Sequence, residues 1–207
     1  PPNGFDVERE EIRAFIDEVA TRHSLDKDDL RKLIAKAEPQ PKIIELMSRP
    51  AERVLAWWEY RNRFLTEKRI ADGVKFWNEH RGVVDKVSSE RGVPGEYLVA
   101  IMGVETVYGN VTGRNRVLDA LATLAFDYPP RSAFFRSELE EFVLLTREES
   151  IDPLIATGSY AGAMGVPQFM PSSYRRYAVD GDADQKRNLW NNMDDVVASI
   201  ANYFREH

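Results

Sequence analysis

Gly158-Ser-Tyr-Ala-Gly-Ala-Met-Gly-Val-Pro-Gln-Phe-Met-Pro-Ser-Ser-Tyr174 is too interrupted for one long helix and too apolar for a solvated linker. Its three glycines let backbone approach a ligand or a neighbouring helix closely, and its two prolines fix the turns that follow. Five Ser or Tyr hydroxyls supply polar tips on an apolar body, the lining that suits a groove for an amphipathic ligand such as a sugar. Upstream, Glu96-Tyr-Leu-Val-Ala-Ile-Met-Gly-Val-Glu-Thr-Val-Tyr-Gly109 is a helical run that carries one interior carboxylate, Glu105. The two stretches together point to a glycosidase-type acid facing a sugar-binding loop.

Outward from these blocks, nearly every segment has helical period. Ile12, Phe15, Ile16 and Val19 mark one stripe of a helix over residues 7–23. Asp26 and Asp29 open a second helix through Leu30, Leu33 and Ile34, with acids where the helix dipole favours them. Pro39 and Pro41 break it before a short helix through Ile43, Ile44 and Leu46, and Pro50 precedes the aromatic cluster Trp57, Trp58, Tyr60 and Phe64. Thr66 caps one long helix to about Arg91, and the Gly92 to Gly95 turn launches the helix of Glu105. Further helices are predicted over 117–126, 132–148, 172–178 and 192–205, with no strand of useful length and no internal repeat. The fold class is mainly α, divided into an N-terminal helical lobe, 1–70, and a catalytic lobe, 71–207.

Glu105 is the informative acid. Ile101 and Met102 lie one turn before it, Tyr108 one turn after, and Val104 and Val107 beside it, so no side of the helix reads as solvated. Burial there disfavours the ionised form and raises the pKa, which suits an acid that must keep a proton to give to a glycosidic oxygen. The competing reading is a structural Glu paired with an Arg or bonded to nearby hydroxyls.

Bulk composition narrows the classes. An apolar content of 43% predicts a folded protein, and the net charge of −6 argues against the basic stripe of a nucleic-acid binder. Without cysteine there are no disulfides, thiolate catalysis or thiolate metal sites. No apolar run approaches the roughly 18 residues of a membrane span, and Pro1-Pro-Asn-Gly has no charged and apolar leader of a secretory signal.

Val104-Glu-Thr-Val-Tyr-Gly109, followed by the Gly158–Tyr174 block, resembles the lytic murein transglycosylase B family, glycoside hydrolase family 103. The likeness runs from about Tyr60 to Asn202-Tyr-Phe204 and is loose over the first fifty residues. It implies a helical, lysozyme-like catalytic domain that cleaves the β-1,4 bond between N-acetylmuramic acid and N-acetylglucosamine and leaves a 1,6-anhydromuramyl end. It also implies a monomer acting on peptidoglycan glycan strands, located in the periplasm, free or at the outer membrane. Glu105 would act as acid and then as base. By motif position, Ser159 would hydrogen-bond near the cleavage point, Gln168 would bind polar groups of the sugar, and Met164 and Phe169 would form apolar walls. Tyr60 and Tyr203 would hold or stack on the glycan. Against these stand a core role for Met164, Phe169 and the Tyr60 cluster, and a turn-capping role for Ser159. Family members continue past the last helix into a segment that completes the groove, whereas this chain ends at His207. The rival classes are a hydrolytic muramidase, a non-catalytic peptidoglycan-binding module and a calcium-responsive helical regulator.

Asp180-Gly-Asp-Ala-Asp-Gln-Lys-Arg-Asn-Leu-Trp190 places acids at alternate positions, as a loop must to converge oxygens on a hard cation. In an EF-hand register Asp180, Asp182 and Asp184 take positions 1, 3 and 5, and the Lys186 carbonyl position 7. Gln185 replaces the usual Gly at position 6 and Asn191 the usual Glu at position 12. The resemblance implies a lengthened loop whose late acid is Asp194 or Asp195, holding a structural Ca2+; the alternative is a solvated acidic turn. No cofactor is expected for catalysis.

Overall fold

The computed structural model describes residues 4–49 and 55–207, and it is helical almost throughout. The first helix, α1 (Glu10–His23), buries the predicted stripe Ile12, Phe15, Ile16 and Val19 and ends at Ser24 in the left-handed conformation. The Asp26 carboxylate accepts the Asp29 N–H at 2.8 Å and so caps α2 (Lys27–Ala35), which buries Leu30 and Ile34. Pro41 opens α3 (Pro41–Ser48) at the position where a missing N–H costs nothing. The short α4 (Trp57–Arg61) follows, then α5 (Glu67–Glu79), capped by Thr66 Oγ1 on the Arg69 N–H at 3.2 Å.

The single long helix expected over 66–91 is two helices, α5 and α6 (Arg81–Arg91). The chain bends at His80, with φ −111° and ψ 18°, while hydrogen bonds of helical spacing continue on either side. Asn78, His80 and Gly82 are weak helix formers, and the bend lets α5 pack on α7 (Gly95–Thr106) and α6 on the last helix of the chain. After α7 come β1 (Asn115–Arg116), α8 (Val117–Phe126), α9 (Ser132–Glu148) and β2 (Thr157–Gly158). The antiparallel β1–β2 pair, in register Asn115 to Gly158, is only two residues long, too short to leave a pattern in the sequence. The chain closes with α10 (Pro171–Tyr177) and α11 (Met193–Glu206), capped by Asn192 Oδ1 on the amides of Asp194 and Asp195.

Two compact units result, each built from two stretches: Pro1–Arg49 with Arg114–Ala163, and Pro50–Gly113 with Met164–His207. The division expected at residue 70 is therefore not the one the chain makes. A unit whose two parts lie far apart in sequence leaves no linear seam to read. In the first unit the wholly buried α8 packs on Phe135, Leu139 and Phe142 of α9, with Phe5 and Phe15 edge-on to Phe126 at 5.8 and 5.5 Å. Its buried Asp119 is compensated: Arg116 donates at 2.6 Å and the Glu38 N–H at 2.9 Å. In the second unit Leu98, Val99 and Met102 of α7 share a core with Val84, Val87, Val196, Val197 and Ile200.

Candidate active site

Glu105 is the second-last residue of α7, and the end of that helix is tied down from two sides. The hydroxyl of Thr106, fully buried, donates to the Val166 carbonyl at 2.9 Å and accepts the Gly109 N–H at 3.0 Å. The chain then turns through three left-handed residues, Val107 (φ 53°), Tyr108 (φ 59°) and Gly109 (φ 84°). Such φ values are strained for a β-branched or aromatic residue, so the surroundings must hold them. They do so through Tyr108, whose hydroxyl donates to the Arg69 carbonyl at 3.0 Å while Arg69 Nη1 donates to the Gly103 carbonyl at 2.8 Å. The ring fits only because Gly73 and Gly103 lack side chains: a Cβ would meet Tyr108 at 2.4 Å and 2.7 Å.

The Val166 end of the tie begins the Pro167-Gln-Phe-Met170 stretch of the Gly/Pro loop. Gly165 precedes it at φ 71°, where a Cβ would lie 2.3 Å from the Leu189 carbonyl oxygen, so only glycine lets the loop pass. Gln168, also left-handed at φ 54°, is fixed by two bonds from Nε2, to the carbonyls of Thr112 at 3.1 Å and Gly165 at 2.9 Å. Its side-chain oxygen stays available to a ligand. Glu105, Gln168, Phe169 and Tyr203 line one groove of about 730 Å³, with Tyr203 packed on Phe169 at 5.2 Å. Ile101, Ser173 and Phe204 also line it and were not expected from the sequence. A helical reading of α11 places Phe204 beside Tyr203, the one signal that pointed there.

Glu105 is not the buried acid the sequence implied. Its side chain is exposed along the groove, and α7 has an outer face after all, one that carries the apolar Tyr97 and Val104, 52% and 48% exposed. An apolar solvent face looks in sequence like no solvent face. Even so, the groove walls thin the water around the carboxyl, and this desolvation raises its pKa above the ordinary Glu value. Among the described residues Glu105 has no hydrogen bond and no ion pair, unlike Asp119, and the structural reading of a Glu paired with an Arg has no support. It is also the only acidic side chain lining the groove among the described residues.

Three expected site residues are not among the side chains that line this groove. Met164 is fully buried and bridges to Phe169 from within the core, so it supports the wall and does not form it. Tyr60, 46% exposed, packs on Trp57 at 6.2 Å and Phe64 at 5.2 Å and does not line the groove. That cluster is not core either, since Trp57 and Trp58 are 72% and 63% exposed. Ser159 belongs to the first unit, where its hydroxyl accepts the amides of Ala161 and Ala163 at 3.2 and 3.1 Å, the turn-capping role.

The chain matches the family model described as the transglycosylase SLT domain over residues 8–207. It belongs to that family. It is 43% identical over 202 residues to the membrane-bound lytic murein transglycosylase B of Escherichia coli (strain K12), covering 93% of this chain and 56% of that protein. Among solved structures, the catenated lytic transglycosylase SltB1 from Pseudomonas aeruginosa superposes with a TM-score of 0.93 at 49% identity, over 96% of this chain and 65% of that one. The Escherichia coli lytic transglycosylase Slt35 in complex with calcium gives 0.90 at 42% identity, over 99% and 65%. SltB3 from Pseudomonas aeruginosa, in complex with NAG-NAM-pentapeptide, gives 0.89 at 30%, over 98% and 54%. This SLT-domain chain thus spans between half and two thirds of the length of these relatives, and the fold they share is the lysozyme-like helical one.

The acidic loop of the SLT-domain chain brings carboxylate oxygens of Asp180, Asp182 and Asp184 within 4.8 Å of one another. Backbone amides turn them inward: Asp180 accepts Asp184 and Gln185 N–H groups at 3.2 and 2.8 Å, and Asp184 accepts that of Lys186 at 2.8 Å. Asn192 Nδ2 donates to Asp182 at 2.9 Å and pulls its pKa down. Gln185, at the usual glycine position, adopts the left-handed φ of 71° that glycine would supply. Asp195 is fully buried and closes the loop from below, accepting the Gly181 N–H at 2.7 Å and the Asn188 N–H at 2.6 Å; burial raises its pKa against those bonds. Asp194 is half-buried at the start of α11, and the three-acid group extends to neither late acid. The donor set, hard oxygens alone, fits Ca2+. No helix among the described residues is long and apolar enough to cross a membrane.

Proposed function

We propose that this chain is a peptidoglycan lytic transglycosylase, cleaving the β-1,4 bond between N-acetylmuramic acid and N-acetylglucosamine and closing the muramyl end as a 1,6-anhydro ring. One observation carries the reading: a partly desolvated Glu105, without a hydrogen bond or ion pair among the described residues, is the only acidic side chain among those described that line the groove. Most glycosidases use two carboxylates, whereas a substrate N-acetyl group can replace the second. The Glu105 carboxyl gives its proton to the glycosidic oxygen, and the C1–O bond breaks with its electron pair leaving on the N-acetylglucosamine oxygen. The muramyl N-acetyl oxygen shares the positive charge at C1. The Glu105 carboxylate then takes the proton of the C6 hydroxyl as that oxygen bonds to C1. Glu105 ends protonated, as it began, and no water is consumed.

Gln168 binds a polar group of the sugar through its free amide oxygen, and Phe169 and Tyr203 face the ring. In this reading Ser159 bonds near the N-acetyl group, Tyr60 holds glycan farther out, and Met164 acts only by supporting Phe169. The acidic loop holds a structural Ca2+ through Asp180, Asp182, Asp184 and the Lys186 carbonyl, with Asp194 as late acid and Asp195 as internal brace. The calcium complex of Slt35 supports this assignment, and the NAG-NAM-pentapeptide complex of SltB3 supports the substrate. In this reading the protein works in the periplasm, free or at the outer membrane, as a monomer.

Mass spectrometry of digested sacculi tests the proposal. Products one water lighter than hydrolysed fragments are expected from the native chain and none from a folded Glu105→Gln variant. Near-normal release by that variant would remove the assignment. Full-weight products would favour a muramidase, and binding without product a non-catalytic module.

A further inference from the structure

The outer face of α7 carries an apolar stripe that runs past the end of the groove. Tyr97, Ile101 and Val104, spaced by four and three residues, share that face beside Glu105. Tyr97 and Val104 are exposed, whereas Ile101 lines the groove. At the far end of the stripe the Tyr97 ring stacks on Phe204 of α11, with centroids 5.7 Å apart and planes 28° from parallel. Phe204 itself lines the groove, so the aromatic pair extends that wall through a direct ring contact. Resting on the peptidoglycan reading above, we propose that Tyr97, with the exposed part of Phe204, forms a further sugar-binding shelf that holds the glycan strand away from the bond being cleaved.

Reach, shape and charge all select a glycan. Tyr97 stands eight residues before Glu105 on the same helix, about 12 Å away along its axis, or about two units of a β-1,4 glycan. A strand whose glycosidic oxygen meets Glu105 and which follows α7 past Ile101 therefore brings a distant sugar to the shelf, and a disaccharide stops short of it. Sugars present C–H faces between their hydroxyls, and an exposed tyrosine ring covers such a face while giving up the freedom of only two side-chain bonds. The Tyr97 hydroxyl has no hydrogen-bond partner among the described residues and is open to a sugar hydroxyl. No charged residue stands between Tyr97 and Glu105 in the chain, and the groove lining has no Lys or Arg among the described residues. A neutral polymer suits that surface, whereas a charged one meets no counter-charge there.

The test compares binding in a Glu105→Gln background, where no turnover intervenes. The ligands are peptide-free: the disaccharide GlcNAc–MurNAc and the hexasaccharide of the same repeat. The hexasaccharide is expected to bind more tightly. Tyr97→Ala should lose about tenfold in affinity for it while binding the disaccharide unchanged, and Tyr97→Phe should keep the preference. Tyr97 is a surface residue, and an unchanged melting temperature shows that the variant folds. Equal binding of the two ligands before substitution would overturn the proposal, as would a hexasaccharide affinity untouched by Tyr97→Ala. Equal weakening of both ligands would overturn it too, since Tyr97 would then only brace Phe204. Release of anhydro product from sacculi by the native chain decides the reaction reading separately. Without product, a length preference that Tyr97→Ala removes would leave the shelf standing; with product, the lack of any such preference would strike the shelf alone.

Discussion

The hydroxyl of Thr106 joins the helix of Glu105 to the loop of Gln168, and replacing it by the isosteric Thr106→Val tests how far the site depends on that join. The substitution keeps the volume and removes one donor and one acceptor. It leaves the Val166 carbonyl, in a residue 2% exposed, without its 2.9 Å partner and the Gly109 N–H without its 3.0 Å partner. Each orphaned buried group costs about 1–3 kcal/mol; Gly109 is half-buried and takes the low end, so the sum is about 2–4 kcal/mol. For a chain of this length that lowers the melting temperature by about 6–12 °C. Thr106→Ser retains the hydroxyl and loses one methyl, about 1 kcal/mol. Turnover of sacculi, measured where both variants are folded, should fall by about a hundredfold in Thr106→Val and little in Thr106→Ser, because the acid and its groove wall lose register. Equal melting temperatures and equal turnover for the two variants would refute the reasoning.

Because desolvation raises the Glu105 pKa, the neutral form is the one the fold favours. Its contribution to stability is complete below the ordinary Glu value of 4.5 and is lost as pH rises through the raised value. Glu105→Gln should therefore melt above the native chain at neutral pH and level with it below 4.5, a comparison that calorimetry at two pH values makes. The same shift keeps the acid protonated to higher pH, so kcat/KM should fall on its alkaline side at a pH above the usual carboxyl range. Gln185→Gly relieves a left-handed residue and should add about 1 kcal/mol to stability and tighten Ca2+ binding, read by melting with and without the ion.

Elements with a one-sided apolar stripe were legible before any coordinates. The faces of α1 and α2, the caps at Asp26 and Thr66, and the placement of Glu105 with Gln168, Phe169 and Tyr203 in one groove all follow patterns of spacing or motif. The bend at His80 was not legible, because the hydrogen bonds and the apolar period run through it. Met164 and Phe169 read alike in a loop that has no period to separate inward from outward side chains, and only the folded chain separates them, with Met164 fully buried and Phe169 lining the groove. The exposed apolar face of α7 made Glu105 look more enclosed than it is. The tie from Thr106 to Val166 spans sixty positions and leaves no local mark.

The interleaving of the two units bears on how the protein is made. A chain emerging from the ribosome ordinarily completes its amino-terminal part first. Here Pro1–Arg49 must wait for Arg114–Ala163, so α1 to α3 leave the exit tunnel well before α8, the helix at the heart of their unit, has been synthesised. Until then α1 has α2 to pack on but Phe15 lacks the Phe126 ring that sits edge-on to it in the finished unit, so that unit closes only after α8 has been made.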